Sequence, residues 1–167
     1  GDHVGAPTVM YWGLRNWMIE FCSRWKVDLD FFDDADPDDL ARKVQAGHTS
    51  LVWAETPTNP TWDIIDIEAA AAVAHGAGAL LAVDSTVSTP VLTRPIEFGA
   101  DIVMHSATKY LNGHSDVVAG ALITASENEA WANIADVRSE GGAILGSFEA
   151  WLLQSPSATN MTSDDAM

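Results

Sequence analysis

The sequence predicts an α/β fold, a mostly parallel sheet with helices on both faces, and three apolar runs carry that prediction. Ser50–Ala54 leads into Glu55-Thr-Pro-Thr-Asn-Pro60, Ala79–Val83 into Asp84-Ser-Thr86, and Asp101–Met104 into His105 through Lys109. Each run is short and lacks polar alternation, the pattern of parallel strands buried on both faces. Helix-like segments separate the runs, as parallel crossovers require. Ligands of open parallel sheets bind outside the carboxyl ends of the strands. Asn59, Asp84 and Lys109 are therefore predicted to share one rim.

The remaining elements follow in order. Gly1–Ala6 reads as a strand continuing from an upstream segment. From Tyr11 to Trp25 the residues Leu14, Trp17, Met18, Phe21, Cys22 and Trp25 recur at helical spacing and predict one buried face. Lys26–Phe32 alternates through Val27, Leu29 and Phe31, which predicts a strand with one polar face. Asp36 is placed to cap the next helix, Pro37 to start its first turn and Gly47 to end it. Asp38 and Asp39 favour its positive end, and Arg42 and Lys43 lie late. These acids read as helix-start residues rather than a metal site. Asp66 opens an alanine-rich helix to about His75, closed by Gly76 and Gly78. Gly120–Thr124 reads as another buried strand. Ser126-Glu-Asn-Glu129 has capping-box spacing and opens a helix toward Arg138. Gly146–Leu153 begins a last helix, and the polar residues after Gln154 predict a disordered tail. The expected division is one domain over 1–153 and an atypical tail over 154–167.

Composition limits the function. Of 167 residues, 47% are hydrophobic and 19% charged, so the chain is globular and long enough to bury a core. Eight basic residues against a net charge of −16 exclude a phosphate-backbone binder, so no nucleic-acid partner is expected. The most apolar window, Ile67–Val83, is interrupted by Glu68, His75, Gly76 and Gly78 and predicts a helix and a strand rather than a membrane span. Gly1-Asp-His-Val lacks a basic and apolar leader. Cys22 is the single cysteine, reads as a buried structural thiol and suits a reducing compartment. A cytoplasmic location is expected. No P-loop and no glycine-rich dinucleotide fingerprint is present. His105, His114 and Asp116 do not have zinc-site spacing and read as hydrogen-bonding residues.

The residues themselves leave several roles open. Lys109, directly after the hydroxyl residues Ser106 and Thr108, is either a solvated loop lysine or an amine with chemical work. The second role needs desolvation or a bound carbonyl such as that of pyridoxal phosphate. Asp84, taken alone, reads as a strand-end cap or a turn residue. Asn59 is a ligand or a turn residue before Pro60. Tyr11, taken alone, reads as a structural helix-leading aromatic.

Glu55-Thr-Pro-Thr-Asn-Pro60, Val83-Asp-Ser-Thr86 and Ser106-Ala-Thr-Lys-Tyr-Leu-Asn-Gly-His-Ser-Asp116 resemble the cofactor motifs of the Cys/Met-metabolism, or trans-sulfuration, family of pyridoxal-phosphate enzymes. The match runs in order from Gly1 to about Leu153. The resemblance implies an aspartate-aminotransferase-like, fold type I, large domain, here incomplete. It implies that Lys109 holds the cofactor aldehyde and moves protons, and that Asp84 pairs with the pyridine nitrogen. It implies further that Thr86 adds a nearby hydrogen bond, Asn59 donates to the phenolic oxygen, and Ser106 and Thr108 donate to the phosphate. The resemblance also implies that Tyr11 stacks on the ring and assists as a base.

The implied activity is elimination or replacement at the γ or β carbon of a homoserine- or cysteine-derived amino acid, in a homotetramer. The alternative is a truncated remnant that folds or associates with full-length subunits without turnover. Two departures stand out: Trp12-Gly-Leu-Arg15 follows the tyrosine where relatives carry Gly-Gly-Thr, and Ser85 stands where they commonly carry asparagine.

Overall fold

The computed structural model describes residues 2–160. Its sheet has six strands in the order β2-β1-β3-β4-β5-β6. They are β1 His3–Pro7, β2 Asp28–Phe32, β3 Thr49–Glu55, β4 Leu80–Asp84, β5 Ile102–His105 and β6 Ala121–Thr124. The first five are mutually parallel, and β6 runs antiparallel to β5. The helices are α1 Trp12–Trp25, α2 Asp39–Lys43, α3 Ile67–Gly76, α4 Thr89–Leu92, α5 Glu129–Gly141 and α6 Ser147–Asn160, with a 3-10 turn at Pro95–Phe98. Among the described residues no helix is long and apolar enough to cross a membrane.

The period of a strand divides the core between two faces. Phe32, Val52, Ala54, Leu81, Val83 and Val103 point to one face and pack against Leu40 of α2 and Ile67, Ala70, Ala71 and Ala74 of α3. Leu29, Phe31 and Trp53 point to the other, where they meet Leu14 and Met18 of α1. Each fully buried aliphatic such as Leu81 contributes roughly 1.5–3 kcal/mol by leaving water. The chain leaves β1 through α1 to reach β2 on one side. It then returns across β1 through α2 to β3 on the other side. A crevice opens at such a reversal of strand order, outside the carboxyl ends of β1 and β3.

Several expectations are corrected. The predicted buried face of α1 is only partly buried: Met18 and Cys22 are covered, whereas Trp17, Phe21 and Trp25 are exposed and contact one another as rings. Phe32, placed on the polar side of β2 by alternation, is the strand's most buried residue, because the α2 and α3 face covers it. α2 begins at Asp39 with Asp38 at its cap, and it ends at Lys43, short of Gly47. Asp36 instead accepts from the Asp38 amide at 3.0 Å and binds Arg42. Asn128, not Ser126, caps α5 by accepting from the Trp131 amide at 3.0 Å. β6 is half exposed rather than buried, since it is a sheet edge. α6 runs as helix from Ser147 to Asn160, and residues 161–167 of the expected tail lie outside the described residues.

Asp66 caps α3 as expected, accepting from the Ala69 amide at 3.0 Å.

Candidate active site

The three loops leaving β3, β4 and β5, with the start of α1 after β1, surround the carboxyl rim of the sheet. Asp84 ends β4 and is 7% exposed. Its Oδ1 accepts from the Thr86 amide at 2.9 Å and from the Thr86 hydroxyl at 2.5 Å, while Oδ2 has no hydrogen-bond partner among the described residues. Thr86 Oγ1 in turn accepts from the Ser106 amide at 2.8 Å. The β4 and β5 loops are thus tied together through one threonine. Burial pushes the Asp84 carboxyl above the usual carboxylate range, opposed by the two Thr86 donors and by His105 nearby. Burial likewise pushes the His105 ring below its ordinary value, against the pull of Asp84.

Lys109 lies exposed in the turn after β5, and among the described residues its amine makes no ion pair. The turn is held from below: Leu152 and Leu153 of α6, with Leu111, pack on Ala107, Val117 and Ala119. Fully buried Asn112 donates to Asp116 at 2.9 Å, and the His114 ring meets the Asn112 carbonyl at 2.8 Å. His114 and Asp116 therefore brace the turn, and His105 lies apart at the strand end. Ser106 Oγ has no partner among the described residues. Thr108 Oγ1 is engaged by the backbone, donating to the Ala119 carbonyl at 3.1 Å and accepting from the Ala119 amide at 2.8 Å. Its hydroxyl fastens the turn to the segment before β6.

Asn59 is exposed on the loop after β3. That loop is braced by its threonines. Buried Thr58 accepts from the Asp63 amide at 2.9 Å, and the Thr56 hydroxyl accepts from Ile65 at 3.3 Å. Tyr11, 47% exposed, precedes α1 and lays its ring against the α carbon of Gly13. A Cβ at Gly13 would stand 2.8 Å from Tyr11 Cε1, so any side chain there displaces the ring. Ser85 is fully buried and its hydroxyl has no partner, so the departure from asparagine leaves an unsatisfied polar group.

Two site residues escaped the sequence reading. Gly13 looked like part of a departure from pattern, and its signal was the glycine two positions after the tyrosine. Glu55 looked like the first letter of a loop motif. It is 5% exposed, pairs in register with Asp84, and accepts from the Tyr11 and Asn59 amides, each at 2.8 Å.

The arrangement defines a class: an open α/β sheet with a buried carboxylate, hydroxyls and a lysine that is unpaired among the described residues, all at the carboxyl rim. The model of the Cys/Met metabolism PLP-dependent enzymes matches residues 1–159, and the chain belongs to that family. It is 40% identical over 153 residues to the cystathionine gamma-lyase of Bacillus subtilis, covering 92% of this chain and 40% of the relative. To the L-methionine gamma-lyase of Treponema denticola it is 39% identical over 155 residues, covering 92% and 38%. The crystal structure of metB from Corynebacterium glutamicum superposes with a TM-score of 0.90 at 34% identity, over 95% of this chain and 41% of that one. The chain spans about 40% of the length of these relatives. Sheet and helices are those of the fold type I large domain.

Proposed function

We propose that this chain carries the cofactor-holding part of a pyridoxal-phosphate-dependent trans-sulfuration enzyme. The carrying observation is Asp84: a buried carboxylate at a strand end, satisfied on one oxygen and open on the other, with no cation paired to it among the described residues. A buried charge of this kind calls for a partner. A protonated ring nitrogen fits it, and the rest of the donor set fits the same group. Among the described residues Lys109 is a primary amine with no ion pair and Ser106 a hydroxyl with no partner, and Tyr11 offers a half-exposed ring.

Asp84 would hold a proton on the pyridine nitrogen through Oδ2 while Thr86 fixes Oδ1. Asn59 would donate from its side-chain amide, and the Ser106 hydroxyl would donate to a phosphate oxygen. Thr108 would keep the turn in place through Ala119. Lys109 would hold the aldehyde carbon and carry the proton at the substrate α carbon, with Tyr11 stacked beside it. When bound, pyridoxal phosphate supplies the electron sink that stabilises negative charge at that carbon.

The substrate class we assign is a homoserine- or cysteine-derived amino acid reacting at its γ or β carbon, a reading supported by relatives named cystathionine gamma-lyase, cystathionine beta-lyase and probable cystathionine gamma-synthase. Assembly into a homotetramer belongs to the same proposal. The test is to add pyridoxal phosphate to the purified chain, reduce with borohydride and map the modified lysine. Label confined to Lys109 and abolished in Lys109→Ala supports the reading. Label scattered over surface lysines overturns it and favours the non-catalytic alternative.

A further inference from the structure

Glu55 is a buried acid that the proposed cofactor chemistry leaves without a task, yet its two oxygens are both committed. Oε2 accepts from the Tyr11 amide and Oε1 from the Asn59 amide, each at 2.8 Å. Tyr11 belongs to the segment leaving β1 and Asn59 to the loop leaving β3, the two strands at which the strand order reverses. The carboxylate therefore bridges the two segments that leave this reversal.

The choice of a carboxylate here is not neutral. Burial pushes Glu55 above the usual range, and Asp84, its register partner on β4, pushes in the same direction. Asp34, in the loop after β2, adds a further acid nearby. Only the two amides oppose these effects, and no lysine or arginine pairs with Glu55 among the described residues. An apolar residue would avoid the cost but leave two amides unsatisfied. A glutamine accepts on one oxygen and presents an NH2 group to the other donor. Accepting from two amides that approach from different loops requires both oxygens of a carboxylate.

We propose that Glu55 is a positioning residue: it locks the main chains of Tyr11 and Asn59 to the end of β3 and so sets where their side chains stand. The inference rests on the cofactor roles assigned to those two residues. The clamp itself is testable without the cofactor. The amide protons of Tyr11 and Asn59, followed by NMR from about pH 4 to about pH 8, should move together with one midpoint above the ordinary carboxylate range. Neither should show that midpoint in Glu55→Gln.

Titration with pyridoxal phosphate should then find Glu55→Gln weaker than the unsubstituted chain by about tenfold, the scale of a lost supporting contact. Its thermal unfolding is recorded alongside to show that it is folded. Separate midpoints for the two amides, or unchanged affinity in folded Glu55→Gln, overturn the proposal. If Glu55→Gln does not fold, the unsubstituted chain's two amides decide alone. Joint titration without labelling at Lys109 sinks the cofactor reading and keeps the clamp. Labelling at Lys109 without joint titration does the reverse.

Discussion

Asp34 shows what a single residue can cost. Both of its carboxylate oxygens are buried, its own backbone amide opposes the shift, and its pKa is still pushed up to about 7. Burial is the main cause, and Asp63, Asp33 and Glu55 add repulsion. An acid raised in the folded state keeps its proton while the unfolded chain has lost its own, so stability falls with rising pH between the ordinary aspartate value and about 7. Asp34→Asn should remove that fall. Urea unfolding should find it more stable than the parent above neutrality, on the order of 2 kcal/mol after allowance for solvent near the half-buried loop, and little changed in acid. The placement of Asp84, Asn59 and Lys109 at the carboxyl ends of strands was legible because each follows an apolar run that had to be a parallel strand. Asp34 and Glu55 were not. One sits in an acid-rich stretch that reads as solvated, and the other's partners lie on different loops, so its bonds depend on strand register.

Elements were read well where a local signal had no competitor. Asp66 before an alanine run is the strongest such signal, and Asp66→Ala should cost about 1 kcal/mol in chemical unfolding by freeing the Ala69 amide. Where two capping residues compete, the sequence does not decide, and Asn128 displaced Ser126. The helix α1 shows a different limit. Its period correctly located an apolar stripe, but periodicity cannot say what covers a stripe. The sheet is wide enough for Leu14, Met18 and Cys22, while Trp17, Phe21 and Trp25 lie round the helix beyond its reach. Arg15 shares the covered side, with its guanidinium 4.4 Å from the centre of the Phe31 ring.

At the scale of the molecule, fold class and rim were legible because three strands and three motifs coincide. Strand order was not: nothing local says that β1 lies between β2 and β3, and that placement creates the crevice. Charge also acts at this scale. With a formal net charge of −16 the folded chain repels itself, and compaction brings those acids closer than in the unfolded state. Raising sodium chloride from about 0.1 M to about 1 M shortens the screening length from about 10 Å to about 3 Å. The thermal unfolding midpoint should rise with it. A midpoint that stayed level or fell would place the stabilising charge pairs above the net repulsion.

The clasp between Thr108 and Ala119 has a consequence for how this chain tolerates change. His105 faces Ala121 across the β5 and β6 pair, so the Lys109 turn is a closed loop whose length is fixed by where the two strands align. Substitutions at its exposed positions leave that alignment intact. Inserting or deleting one residue between Thr108 and Ala119 either breaks the clasp or slips β6 by one against β5, which reverses which of its side chains face inward. The lysine is thus guarded less against altered spelling than against altered length, and variation among working descendants of this chain should respect the count between Thr108 and Ala119 more strictly than the letters.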